Sequence, residues 1–129
     1  MLNQIQTLIA GAIFGALGVT FGAFGAHAFK STLLANHGLD TYELAVRYQF
    51  YHAFALLIIG LLMGKYANKA LGLSSACIIF GVILFSGSLY AHAFKIHKTV
   101  VLITPIGGVL LIAGWVLLLL SFIKRQHKT

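Results

Sequence analysis

The sequence has little charge and almost none of it is negative: 9% of its 129 residues are charged, and only two are acidic. A soluble domain of this size must wet far more polar surface, so a water-soluble fold is excluded and a polytopic membrane protein indicated. Cysteine is nearly absent too. Cys77 stands alone inside an apolar run, so no intrachain disulfide is possible and the residue reads as a small packing group. No basic patch is interleaved with exposed aromatics, so the nine Lys and Arg residues do not point to nucleic acid. They sit at segment ends instead, where they meet the anionic headgroups of a lipid bilayer and set topology. There is no linker, and one compact domain over residues 1–129 is expected. The first hydrophobic segment lacks a basic leader and runs about 22 residues, which reads as a retained span rather than a cleaved signal.

What the chain does have is hydrophobic length. Sixty per cent of its residues are hydrophobic and its mean hydropathy is +0.96. Four apolar runs, roughly Leu8–Phe29, Leu44–Gly64, Leu71–Phe94 and Val100–Ile123, each cross a core of about 30 Å at about 1.5 Å per residue. The connections Lys65–Ala70 and Lys95–Thr99 are short, which makes neighbouring helices antiparallel. The expected fold is all-α, an integral-membrane four-helix bundle running up-down-up-down, with both termini on one side. That terminal face carries Lys65, Lys69, Lys124, Arg125 and Lys128, against Lys30, Arg47, Lys95 and Lys98 on the other. The excess of basic residues places both termini in the cytoplasm, for a multi-pass protein of a bacterial cytoplasmic membrane.

The first span is glycine-rich. Gly11, Gly15, Gly18, Gly22 and Gly25 are spaced four, three, four, three, and fall within one stripe about 80° wide on a helix. In lipid such a stripe lets a second backbone approach closely. Gly81 on the third span, and Gly107 and Gly114 on the fourth, extend the same small-residue logic. These seams also suit packing against a second copy or another membrane protein.

Between the first two spans, residues 31–39 are too short and too polar to cross. Ser31–Ala35 reads as a brief interfacial helix, ended by Asn36-His37-Gly38 with Gly38 free to take a left-handed cap. Asp40 and Glu43 have the spacing of a capping box. Thr104-Pro105 reads as a cap with proline at the first helical position, or as a kink in a helix already running from Val100.

The chemistry gathers where the second span begins, at Thr41–His52. Glu43 and Arg47 are one turn apart with the acid first, the favourable order for a pair that neutralises charge entering the membrane edge. Tyr48, Gln49 and His52 occupy another face, about 100° wide. Two readings stand: these groups satisfy one another and the loop backbone, or they form a polar, proton-handling pocket open to the loop side. A small transporter or channel for protons or a small solute is the functional form of the second reading.

His27, His52 and His92 lie near one membrane face, within Ala26–Lys30, His52–Phe54 and Ala91–Lys95. Three imidazoles at one level raise metal or haem. No carboxylate or cysteine accompanies them and their spacing is poor for ligation, so neither metal nor cofactor is expected. Ser86 and Ser88 lack a nucleophile elbow and an acid–base partner, and no catalytic set emerges. Serine in a spanning helix usually bonds its own backbone or a neighbour.

Gly22–Lys30, Ala45–Ala53, Leu84–Tyr90 and Thr104–Gly108 with Gly114-Trp115 together resemble the small bacterial membrane proteins of domain-of-unknown-function family 423, related to the eukaryotic transmembrane protein 256 group. The resemblance covers essentially the whole chain. It implies a four-helix membrane protein of unestablished role, with His27, Tyr48, Gln49, His52, Ser86, Ser88, Tyr90, Thr104 and Pro105 as shared features. Ala91-His92 departs from the pattern, where the family has apolar residues. The expected function is that of a non-enzymatic accessory or binding module.

Overall fold

The computed structural model describes residues 1–66 and 68–126, and it is helical almost throughout. Helix α1 spans Gln4–Ala26, α2 Lys30–Ala35, α3 Leu39–Lys65, α4 Lys69–Ala93 and α5 Thr104–Gln126. A short 3-10 helix at Lys98–Leu102 leads into α5. The four long helices are α1, α3, α4 and a segment at Lys98–Lys124, each long and apolar enough to cross a membrane. They alternate in direction as expected.

Their order in space is that of the sequence. Helix α1 packs on α3, α3 on α4 and α4 on α5, whereas α1 touches α4 only slightly. The closing contact of a square bundle, between α1 and α5, is not among the close pairs. Helices α3 and α4 are therefore the inner pair. Exposed Ile, Leu, Val and Phe side chains cover the outside, as a lipid-facing wall requires.

The termini of the helices show why they begin where they do. Asn3 and Gln6 form a reciprocal capping box that starts α1, four residues before the span expected at Leu8. Helix α3 begins at Leu39 with Gly38 as its N-cap and no side-chain cap, so the Asp40–Glu43 box does not form; Asp40 sits in the first turn instead. The left-handed residue ending α2 is His37, at φ 52°, and not Gly38, whose φ is −104°. Gly38 is needed for another reason: a Cβ there would lie 2.3 Å from the Ala93 carbonyl oxygen at the end of α4. Pro105 falls in the first turn of α5 after the 3-10 segment, so the chain turns before the proline rather than kinking at it.

The glycine seams are real but sparser than the sequence suggests. Gly11, Gly18 and Gly25, seven apart, receive Ala53 and Leu57, Phe50, and Tyr42 of α3. Gly15 meets nothing within 4 Å, and Gly22 meets only Val46 at 3.6 Å. A seven-residue repeat keeps one stripe on the partner; the intervening glycines rotate off it. On the other side Gly81 takes Leu111, Gly107 lies against the backbone of Leu84 and Phe85, and Gly114 lies against Ile78 and Ser74.

Two apolar clusters fill the interior. One joins Leu56, Ile59, Leu71, Ile78, Val82, Leu111 and Leu118; the other joins Leu33, Tyr42 and Ala93 with Phe21, Tyr90 and Phe94 around them. Between them along α3 lie Gln49 and His52, and along α4 Ser86 and Ser88. The core is interrupted by a polar belt.

Candidate functional site: a polar belt and a lateral aromatic cleft

The buried face of α3 follows the helical repeat through Tyr42, Ala45, Gln49, His52, Leu56 and Ile59. That phase decides which polar residues the protein shelters. Gln49 is 3% exposed and His52 4%. Glu43 and Arg47 fall on the opposite stripe, with Tyr51, Phe54 and Ile58, and are exposed. Companion helices therefore shelter Gln49 and His52 but leave the charged pair exposed. Arg47 directs Nε to the main-chain carbonyl of Glu43, at 3.4 Å, not to its carboxylate.

His52 is the central residue of the 27 in α3. At the helical rise it lies roughly 20 Å from the start of a helix roughly 40 Å long, in its middle and not at its rim.

Gln49 ties three helices together. Its Nε2 donates to the Phe14 carbonyl of α1 at 2.9 Å, and its Oε1 accepts from the Tyr90 hydroxyl of α4 at 2.7 Å. The Tyr42 hydroxyl donates to the Phe21 carbonyl, and the Tyr42 and Tyr90 rings meet edge to face with centroids 5.1 Å apart. Ser86 donates to the Ala45 carbonyl at 2.8 Å, joining α4 to α3. Ser88 bonds its own helix at Phe85 and the Thr104 hydroxyl of α5. Ser74 donates to the Gly114 carbonyl at 2.7 Å, which the missing side chain of Gly114 leaves approachable.

His52 is bonded at both nitrogens. Trp115 Nε1 donates to His52 Nε2 at 3.0 Å, and His52 Nδ1 is 2.7 Å from the Tyr48 carbonyl. An indole N–H only donates and a carbonyl only accepts. The pair of contacts therefore fixes a neutral ring with its proton on Nδ1. An imidazolium would turn a second N–H toward the indole and lose that bond.

The histidines do not converge. His27 is exposed at the end of α1, His92 is exposed near the end of α4, and His52 is buried at mid-depth. Among the described residues no group of three or more His, Cys, Asp or Glu side chains is placed to hold a metal ion.

Beside His52 a cleft of about 520 Å³ opens sideways, lined by Tyr48, Tyr51, His52, Phe85, Gly108, Leu111, Ile112 and Trp115. The Tyr48 and Phe85 rings approach to 4.8 Å on its wall. Its size matches a pocket for a small hydrophobic molecule, and its surface is aromatic with few polar atoms. Trp115 is the participant whose role the sequence reading missed. The available signal was a tryptophan in the middle of a span, far from the interfacial belt where this residue usually sits.

The chain is similar to bacterial proteins throughout its length. A UPF0382 membrane protein of Staphylococcus aureus is 41% identical over 117 residues, covering 91% of this chain and 94% of its own. One from Haemophilus influenzae is 39% identical over 98% of both chains. The UPF0382 inner membrane protein YgdD of Escherichia coli is 36% identical over 94% of this chain and 92% of its own. No solved structure matches. Residues 21–108, which hold α2, α3, α4 and most of the polar belt, match the family described as "Protein of unknown function (DUF423)", and the chain belongs to that family of bacterial membrane proteins.

Proposed function

We propose that the protein is a non-catalytic module of the bacterial cytoplasmic membrane, with both termini on the cytoplasmic side, that binds another membrane component through its lateral cleft. One observation carries this reading. Among the described residues no buried side-chain nitrogen or oxygen lacks a hydrogen-bond partner. Gln49, His52, Ser74, Ser86 and Ser88 are each committed to a neighbouring helix or to their own. A catalytic or conducting group must present a free donor, acceptor or charge to its substrate. These groups present theirs to the protein.

The lining that remains open is aromatic and apolar, which suits recognition by shape and ring contact. Gly108 gives the test a handle, because a Cβ there would meet only Phe85, at 3.7 Å. Gly108→Leu fills the cleft from a tolerant position. Capture from membranes in mild detergent, followed by identification of co-isolated lipids and proteins, should recover a companion with the native chain and lose most of it with the variant. Equal recovery from both would reject the cleft as the binding site. The rival function, proton or solute transport, predicts flux in liposomes that His52→Ala abolishes.

A further inference from the structure

Arg47 faces outward in a helix that crosses lipid, and its setting is unusual. It lines a groove of about 220 Å³ between α1 and α3, with Gly22, Gly25, Ala26, Tyr42, Glu43 and Val46. The Nε contact to the Glu43 main-chain carbonyl uses one of its five N–H donors and aims the side chain back toward the start of α3. Charge at such a level is costly in lipid unless it reaches a headgroup or a counter-ion. Glu43 lies one turn nearer the membrane surface, roughly 6 Å along the helix axis. The groove floor is open at Gly22, where a Cβ would meet only Val46 at 3.6 Å.

We propose that this groove holds the headgroup of one phospholipid, with its phosphate on Arg47, its amine on Glu43 and its connecting atoms over Gly22 and Val46, the acyl chains leaving into the bilayer below. The order of charges decides the class. In an aminophospholipid the amine lies outside the phosphate, and the protein presents the Glu43 carboxylate outside the Arg47 guanidinium in that same order, one helical turn apart. Guanidinium matches phosphate with two parallel N–H donors, a contact worth more than an exposed ion pair because the bilayer interface is only partly wet. A purely anionic headgroup would instead set a second negative charge against Glu43. The groove is smaller than a whole lipid, so the rest of the molecule stays in the bilayer. This groove lies between α1 and α3, shares no lining residue with the aromatic cleft, and stands whether or not the cleft binds anything.

The test is native mass spectrometry of protein released from bilayers of equal phosphatidylethanolamine and phosphatidylglycerol. The native chain should retain one lipid, the ethanolamine lipid in about tenfold excess. Arg47→Gln and Gly22→Leu should each lose retention of both lipids, with helical circular dichroism unchanged. Glu43→Lys should invert the preference toward phosphatidylglycerol, and inorganic phosphate at millimolar concentration should displace nothing. Retention by Arg47→Gln equal to the native chain, or a native preference for phosphatidylglycerol, would overturn the proposal. Release by inorganic phosphate would also overturn it, assigning Arg47 to a soluble anion. If Gly22→Leu does not fold, Glu43→Lys decides alone, because Glu43 is exposed and its preference either inverts or the lipid assignment is wrong.

Discussion

At the scale of single residues, Gln49 has the most at stake. Its amide supplies both ends of a bridge, from the Phe14 carbonyl to the Tyr90 hydroxyl. The Phe14 carbonyl is a helix carbonyl with its own intrahelical donor, whereas the half-buried Tyr90 hydroxyl depends on Gln49. Gln49→Leu should therefore cost about 1–3 kcal/mol, mainly through the stranded hydroxyl. Adding Tyr90→Phe should recover much of that loss, because replacing both partners removes the unmet donor. Unfolding in detergent across the four variants measures the coupling, and additive losses would contradict the bridge. Polar residues were legible in the sequence as belonging to the second span. Their partners were not, because Tyr90 and Trp115 are distant in the chain and nothing local ties a tyrosine or an indole to one amide or one imidazole. The charged pair was legible as a face apart from Gln49, but which face is covered depended on where the neighbouring helices pack, and they cover the Gln49 side of α3.

Among the helices, small residues set the distance of approach, and their phase sets which of them matter. Gly107→Ala would drive a Cβ to 2.4 Å from the Phe85 amide nitrogen, with only backbone to yield. A loss of about 1–3 kcal/mol follows from overpacking of that kind. Gly15 meets nothing, so Gly15→Ala should be neutral, or stabilise by up to about 1 kcal/mol through helix propensity. Comparing the two variants in one unfolding assay separates phase from composition, and equal losses would contradict the assigned seam. Hydropathy and glycine content revealed four long antiparallel helices and a tightly packed first span. The exact helix ends depended on capping by Asn3 and Gly38, which compete with equally plausible caps two or three residues away. Which glycines pack depended on the neighbour, and α1 takes only α3 as its close partner.

For the whole molecule, the consequence is a membrane protein whose inner helices α3 and α4 carry a belt of polar bonds between two apolar clusters. The belt fixes register, because sliding α3 by one turn would break contacts to α1, α4 and α5 together. Leu56, Ile59, Ile78 and Val82 pack together on its terminal side, and the proposed binding role expects no ion path there. Liposomes holding the protein should therefore show the proton leak of empty liposomes, measured with an entrapped pH dye. The central claim, that the embedded polar groups are turned inward and satisfied, is tested most directly by solid-state nuclear magnetic resonance of nitrogen-labelled protein in lipid bilayers. It predicts that His52 carries its proton on Nδ1, and that its bare Nε2 couples to the N–H of Trp115, the sole tryptophan, across 3.0 Å. A His52 ring protonated on Nε2, or one with no coupling to the indole, would contradict it.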